Sequence, residues 1–275
     1  MKLLVKGDDF GITKGVTHGI VEAFDHGILT CSGMFTNMEI APWAAEFIKE
    51  RPDCCFGIDF NLVCGPCAAD PKLVPHLVDE HGRFINSKLR ITDEKWATVE
   101  GRNELLPYEE VYIEVKAQYD RFVELCGRKP AYFSGHSIQT ESMEKAYRKL
   151  AEETGVLFCD DVFRKYNIVD FRNVPNLNTQ ALSSATTKKV FDATEQLNRN
   201  PMKIFMDNLD YLMQLEYVSL VCHPGYFDTE LMKLSSCSIE RVRDLEFYLA
   251  PEMKKVIEEN KIELISFSDF YGELN

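Results

Sequence analysis

The chain of 275 residues has no apolar run long enough to span a bilayer. It also lacks an excess of positive charge: 31 Lys and Arg stand against 44 Asp and Glu, a formal net charge of −13. The first absence excludes a helical membrane span. The second argues against nucleic acid and anionic membrane as partners, because both are bound through basic surfaces. It leaves room for a phosphorylated small molecule in a local basic pocket. Several nucleotide and hydrolase motifs are missing as well. There is no GxGxxG and no GxxxxGK[ST], and GITKG at 11–15 lacks the spacing of a phosphate loop. There is no HExxH and no GxSxG. No repeat, linker or low-complexity tract divides the chain. Nine cysteines, an odd number scattered along the sequence, read as buried small residues in a reducing cell and not as a disulfide framework. The opening MKLLVKGDDFG turns acidic at once, unlike a signal peptide, so the expected location is the cytoplasm.

What is present alternates. MKLLVKG predicts a short buried strand ended by Gly7, with Asp8-Asp9-Phe10-Gly11 as the loop after it. GVTHGIVEAFDHGI predicts a helix, LTCSGMF a strand, and PWAAEFIKERP a helix with Pro42 near its start. CCFGIDFNLV is the next strand, bounded by Gly65-Pro66. Residues 66–107 are a mixed excursion. A helix over PYEEVYIEVKAQYDRFVELCG, a strand in KPAYFSGHS, a helix over SMEKAYRKLAEETG and a strand at VLFC follow. Residues 160–196, rich in Asn, Ser and Thr, predict a lid or insertion within a single domain 1–275. NPMKIFMDNLDYLMQL predicts one helix, YVSLVCHPG a strand running into a loop, IERVRDLEFYL and PEMKKVIEENK two helices, and IELISFSDF a closing strand. Buried strands separated by helices predict an α/β fold with a parallel sheet, open or closed into a (β/α) barrel.

Several polar residues fall where a strand gives way to a loop: Asp8 and Asp9, His136 after AYFSG, and His223 after YVSLVC, with Asp59 inside or near the end of its strand. In a parallel barrel those strand ends share one face, where active sites are built. Carboxylates and imidazoles gathered there suit a divalent metal and an acid–base pair. Asp8-Asp9-Phe10-Gly11 reads equally well as a turn with a helix cap. A single His at a strand end also serves as a hydrogen-bonded structural residue. Asp59 carries a stronger signal, because an acid in a buried strand costs several kcal/mol unless paired or ligated. His18 and His26 are expected at the surface, and His76 and His81 in loops. Cys64-Gly65-Pro66-Cys67 has the form of a thiol–disulfide exchanger. Ala68-Ala69-Asp70-Pro71 is a poor helix start behind it, and a helix N-terminus is what would activate the thiol.

Together these stretches resemble the YdjC-like carbohydrate deacetylases, the family of chitooligosaccharide deacetylases. KGDDFGITKGVTHGI is similar to the family's opening strand, Asp-Asp-Phe-Gly segment and first helix. FGIDFNL is similar to its GxHxNL strand, YFSGHSIQT to its Ser-His-Gln-His loop, and LVCHPGYFD to its Cys-His-Pro-Gly-Tyr segment. The tail ERVRDLEFYLAPEMKKVIEENKIELISFSDF resembles the family's ending. The resemblance implies a distorted (β/α) TIM-like barrel. It implies a metal-dependent hydrolase that removes an acetyl group from an N-acetylated amino sugar or chitooligosaccharide, phosphorylated or not, by cleaving a linear amide C–N bond. It implies Asp9 and His136 as metal ligands, Asp8 as the base on the attacking water, and His223 as the group that stabilises the intermediate or protonates the leaving amine. A homodimer is a further implication. The chain departs from the family pattern twice: Asp59 stands where the family has His, and Ile138 where it has a second His. The expected metal set becomes Asp9, Asp59 and His136. Its harder ligands favour Mg²⁺ or Mn²⁺ over Zn²⁺. Two competing readings are another metal-dependent barrel enzyme acting on sugar phosphates and a non-catalytic sugar-binding homologue.

Overall fold

Leu3-Leu4-Val5 is wholly buried and forms the middle of strand β1 (Lys2–Phe10) in a computed structural model that describes residues 1–174 and 192–272. Full burial of such aliphatic side chains stabilises by about 1.5–3 kcal/mol each. Thr13 then caps helix α1 (Lys14–His26), its side chain accepting from the Val16 N–H. Strand β2 (Cys31–Met34), helix α2 (Ala41–Lys49) and strand β3 (Cys55–Phe60) follow. The 66–107 excursion contains helices α3 (Ser87–Ile91) and α4 (Val99–Leu105). It is tied down by the buried Arg90 guanidinium, which donates to the carbonyls of His76, Leu77 and Leu105. Helix α5 (Tyr108–Cys126), strand β4 (Tyr132–Gly135), helix α6 (Glu141–Thr154) and strand β5 (Leu157–Phe158) come next. Gly127 and Gly155 end the two helices at φ of +68° and +70°, a conformation that favours glycine. The remaining elements are α7 (Cys159–Tyr166), β6 (Val169–Asp170), α8 (Ala193–Leu197), α9 (Pro201–Asp207), α10 (Leu209–Leu212), β7 (Tyr217–Cys222), α11 (Leu231–Leu234), α12 (Glu240–Leu249), α13 (Pro251–Glu259) and β8 (Glu263–Ile265).

The chain forms two compact units. The first comprises Met1–Ser32, Asp53–Cys55 and Asp160–Asn275; the second comprises Gly33–Pro52 and Phe56–Cys159. In the first, β1 pairs with β7 on one side and β8 on the other, and β6 pairs with β7, all parallel. Gly7 lies opposite Cys222 in that register, so β1 and β7 reach their C-terminal ends together. The buried Tyr248 hydroxyl donates to the carbonyls of Lys6 and Leu220, fastening α12 beneath both strands. In the second unit β3, β4 and β5 pair in parallel, with Asp59 opposite Ser134. Parallel strands alternating with helices are the α/β arrangement that the sequence predicts.

Four details differ from the sequence reading. Asp8 and Asp9 belong to β1 and not to a loop, because Phe10 is wholly buried and carries the extended chain two residues further. The stretch expected as a lid or insertion is partly regular: α7, β6 and a 3-10 turn at Phe171–Asn173 precede residues 175–191, which lie outside the described residues. A two-residue strand such as β6 is too short for any periodicity to reveal. The single helix expected over 200–215 breaks at Asn208, whose side chain donates to the Ile204 carbonyl and competes with the helical pattern. The last strand stops at Ile265, and a Ser266–Asp269 capping box opens a 3-10 turn over Phe267–Phe270.

Candidate active site

The first unit brings Asp8, Asp9 and His223 to the same end of the β1–β7 pair. Lys6 and Asp8 are two apart on a strand, so their side chains share one face. The Lys6 ammonium, in a residue only 4% exposed, donates to Asp8 Oδ1. Asp9 points the other way and is wholly buried. Its φ of +73° is a left-handed value that Asp tolerates better than most residues, and the Asp9 carbonyl accepts from the Ile12 N–H at 3.1 Å. That bend turns the chain from β1 into α1. Arg241 of α12 donates from Nη2 to Asp9 Oδ2 at 2.5 Å, with both side chains at or below 1% exposure. Breaking such a buried pair by removing one partner costs about 3–5 kcal/mol.

The same helix holds the His223 segment. The His223 N–H donates to Asp244 Oδ2 at 3.0 Å, and the Gly225 N–H donates to the Arg241 carbonyl at 3.2 Å. Arg199 stands within 2.9 Å of Asp244 and 3.0 Å of Glu240, which lie one helical turn apart on α12. Burial pushes the His223 pKa down to about 4; Arg241 and Arg172 add to the depression, and Asp9 and Asp244 oppose it. The imidazole is therefore neutral near pH 7. We expect its NMR resonances to titrate with a midpoint near pH 4. The unfolded chain, with the ordinary value near 6.5, takes up this proton first as pH falls. The group's contribution to stability is therefore complete above pH 6.5 and declines between 6.5 and 4. His223→Gln should flatten that part of the stability curve. An imidazole midpoint at 6 or above would contradict the assignment.

The second unit supplies Asp59 and His136 at the C-terminal ends of β3 and β4. Asp59 is 1% exposed, and the Ser134 hydroxyl donates to its Oδ1. Gly33 leaves space for that carboxylate: a Cβ there would lie 2.1 Å from Asp59 Oδ1. The His136 N–H donates to the Phe60 carbonyl at 3.1 Å, and its ring meets Phe35 edge-on at 4.7 Å. Directly after it Ser137 has φ of +66°, and the Ile138 N–H donates back to the His136 carbonyl at 2.8 Å. That is the rarer, strained form of the three-residue turn. It sends Ile138 into the interior at 6% exposure. Among the described residues, two of the four non-glycine residues with positive φ, Asp9 and Ser137, thus lie at or beside candidate site residues, where strain tends to be stored.

Of the five residues singled out in the sequence, three lie in the first unit and two in the second. His18 and His26 are exposed, as expected, and His76 and His81 lie in turns outside helices and strands, as expected of loop residues. The sequence reading missed Lys6, Arg241, Asp244, Arg199 and Ser134. Lys6 gave one signal, a lone charge inside an apolar strand. The α12 residues gave none, because a charged amphipathic helix looks the same whether its charges are buried or solvated. The Cys64–Cys67 pair is not activated. All nine cysteines are free thiols, and burial beside Glu114 pushes the Cys67 pKa up to about 11, the opposite of a reactive thiolate.

Two carboxylates and an imidazole suit a hard divalent ion in donor type. Among the described residues no group of three or more His, Cys, Asp and Glu forms a ready cluster for one. The carboxylates already have partners within the chain: Arg241 on Asp9 and Ser134 on Asp59. The donor types are right for such an ion, and within each unit a metal would have to share a carboxylate that is already partnered. No helix among the described residues is long and apolar enough to cross a membrane.

Comparison with known proteins adds to this geometry. A solved structure from Enterococcus faecalis V583, described as a candidate cellobiose-phosphate cleavage protein, matches at a TM-score of 0.75 with 23% identity, covering 98% of each chain. That likeness shows the fold, and the fold class expected from the sequence is borne out. Carbohydrate deacetylase 2 of Listeria innocua is 30% identical over 284 residues, covering 98% of both chains. A chitooligosaccharide deacetylase of Proteus mirabilis is 29% identical, covering 97% of this chain and 98% of its own. The model of the family described as YdjC-like protein matches residues 2–259. With the Asp-Asp pair of β1 and the histidines after β4 and β7 in place, the chain belongs to the YdjC-like family, whose matching members are named carbohydrate and chitooligosaccharide deacetylases.

Proposed function

We propose that the protein is a carbohydrate N-deacetylase. It hydrolyses the acetyl amide of an N-acetylated amino sugar or chitooligosaccharide, phosphorylated or not, to acetate and the free amine. The observation that carries this reading is the placement of Asp8 and His223 at one end of the β1–β7 pair, in a chain matched along nearly its whole length by relatives named deacetylases. Asp8 is the base. Its carboxylate, oriented by Lys6, takes a proton from the attacking water. Neutral His223, its backbone held by Asp244, donates a hydrogen bond to the acetyl oxygen as that oxygen becomes negative. Asp8 returns the proton to the amine as the C–N bond breaks. This gives His223 the stabilising role and not the proton-donating one, since an imidazole with a pKa near 4 is not charged at pH 7.

Asp9 of the first unit is the residue that would hold a divalent ion, Mg²⁺ or Mn²⁺ before Zn²⁺, which would polarise the acetyl carbonyl and acidify water; Asp59 and His136 of the second unit are the further ligands that the family resemblance implies. The substrate is a small molecule, and the acidic chain suits neither nucleic acid nor an anionic membrane. The test is acetate release from N-acetylated chitooligosaccharides, with and without a 6-phosphate, by metal-stripped protein given Mg²⁺, Mn²⁺ or Zn²⁺ in turn. Acetate is expected with Mn²⁺ or Mg²⁺ and little without metal. No acetate under any condition would overturn the deacetylase reading.

A further inference from the structure

Asp9 already has a cation. The guanidinium of Arg241 reaches its Oδ2 at 2.5 Å, and neither side chain is more than 1% exposed. A buried charge pair this close is poorly screened by solvent, so its electrostatic influence on a third charge is large. The guanidinium is fixed at its other end, where Nε donates to the Cys237 carbonyl at 2.7 Å. Arg241 Nη1 is buried with no hydrogen-bond partner among the described residues; Asp9 is the carboxylate that the guanidinium hydrogen-bonds, and Asp244 adds a further electrostatic attraction. The backbone around the pair is set as well. Asp9 sits in a left-handed bend, and the Arg241 carbonyl holds the Gly225 N–H beyond His223.

We infer that Arg241 is a built-in counter-ion that competes with a divalent cation for Asp9, and so sets how tightly the site holds metal. The inference rests on the ligand role proposed for Asp9. A metal approaching Asp9 meets a carboxylate whose charge is already neutralised, and it meets the positive guanidinium beside it. Affinity is held down, and Asp9 keeps a partner when no metal is bound. The charge of Arg241 matters here more than its forked shape. A residue that merely oriented Asp9 for metal binding would act in the opposite direction, since its loss would weaken binding.

Two variants separate these roles. Arg241→Gln keeps a hydrogen-bond donor beside Asp9 and removes the charge; Arg241→Lys keeps the charge and removes the fork. Mn²⁺ binding to the full-length metal-stripped protein is measured by calorimetry and by electron paramagnetic resonance. R241Q should bind Mn²⁺ on the order of tenfold more tightly than wild type, because a unit positive charge beside the ligand is gone. R241K should stay within roughly threefold of wild type, since its charge remains. Mn²⁺ should also raise the melting temperature of R241Q more than that of wild type, because tighter binding to the native state stabilises it more. Equal or weaker Mn²⁺ binding by R241Q overturns the inference, and so does the absence of Mn²⁺ binding in all three proteins. If R241Q does not fold, R241K decides: retained affinity supports the counter-ion role, and a loss of tenfold or more overturns it. Acetate release is scored separately. A wild-type protein that binds Mn²⁺ without releasing acetate removes the deacetylase reading and leaves the Arg241 result standing.

Discussion

Asp8→Asn is expected to lower turnover by about 10²–10⁴-fold, the range that one positioned general base contributes, while Mn²⁺ affinity stays within a few-fold of wild type. Asn keeps the size of Asp and can still accept one hydrogen bond from Lys6. It cannot take the proton from water. The structure makes this substitution more informative than it would be on an exposed loop. Asp8 lies within β1, whose middle is buried, so its backbone has little freedom to move in the variant. Lys6, itself 4% exposed, would then face an amide in place of a carboxylate, and a buried ammonium without its counter-charge costs a few kcal/mol. A loss of stability is therefore expected alongside the loss of rate, and the two must be read separately. Single-turnover acetate release at a temperature well below the variant's midpoint isolates the chemical step. Wild-type turnover in D8N would remove Asp8 from the base role. Loss of Mn²⁺ binding in parallel with turnover would make Asp8 a ligand instead.

The order of strands and helices was legible because buried β-branched and aliphatic runs alternate with helical spacing, and because Gly127 and Gly155 mark helix ends without ambiguity. Asp8 and Asp9 could be singled out, but not their surroundings. The sequence stops looking like a strand at Gly7, whereas the chain remains extended to Phe10, because the pocket that buries Phe10 lies beyond the reach of local pattern. Arg241 shows the limit most clearly. IERVRDLEFYL has the ordinary alternation of a surface helix, yet Glu240, Arg241 and Asp244 are all buried and meet Arg199 and Asp9, about 40 and 230 residues away in sequence. Pairings at that separation are set by tertiary packing and leave no periodic trace. Asp59 lies between these cases. Its apolar strand marked it as unusual, but the Ser134 hydroxyl that satisfies it and the missing side chain of Gly33 that seats it come from β4 and β2.

That seating predicts the largest structural effect in the second unit. Gly33→Ala should cost about 3 kcal/mol and lower the melting temperature by roughly 5–10 °C. A Cβ at residue 33 would lie 2.1 Å from Asp59 Cγ and 2.4 Å from Oδ2, well inside contact distance. The obstacle is a short side chain already fixed by Ser134, with little freedom to swing away. Accommodating the methyl group must either rotate Asp59, which breaks the Ser134 bond and leaves a buried carboxylate with fewer partners, or push the backbones apart. The positive φ that excuses many glycines is not involved, because Gly33 is not among the positive-φ residues; the requirement is space alone. A double-mutant cycle tests the cause. Asp59→Ala removes the carboxylate, and against that background Gly33→Ala should cost little, giving a coupling of about 2 kcal/mol between the two sites. Thermal melts of the wild type, both single variants and the double variant measure it. Strict additivity would mean that Asp59 does not rest over Gly33. A strong coupling would locate the role of Asp59 in the packing of its strand: the carboxylate at residue 59 is set by the absence of a side chain at residue 33, and any metal role it has must start from that position.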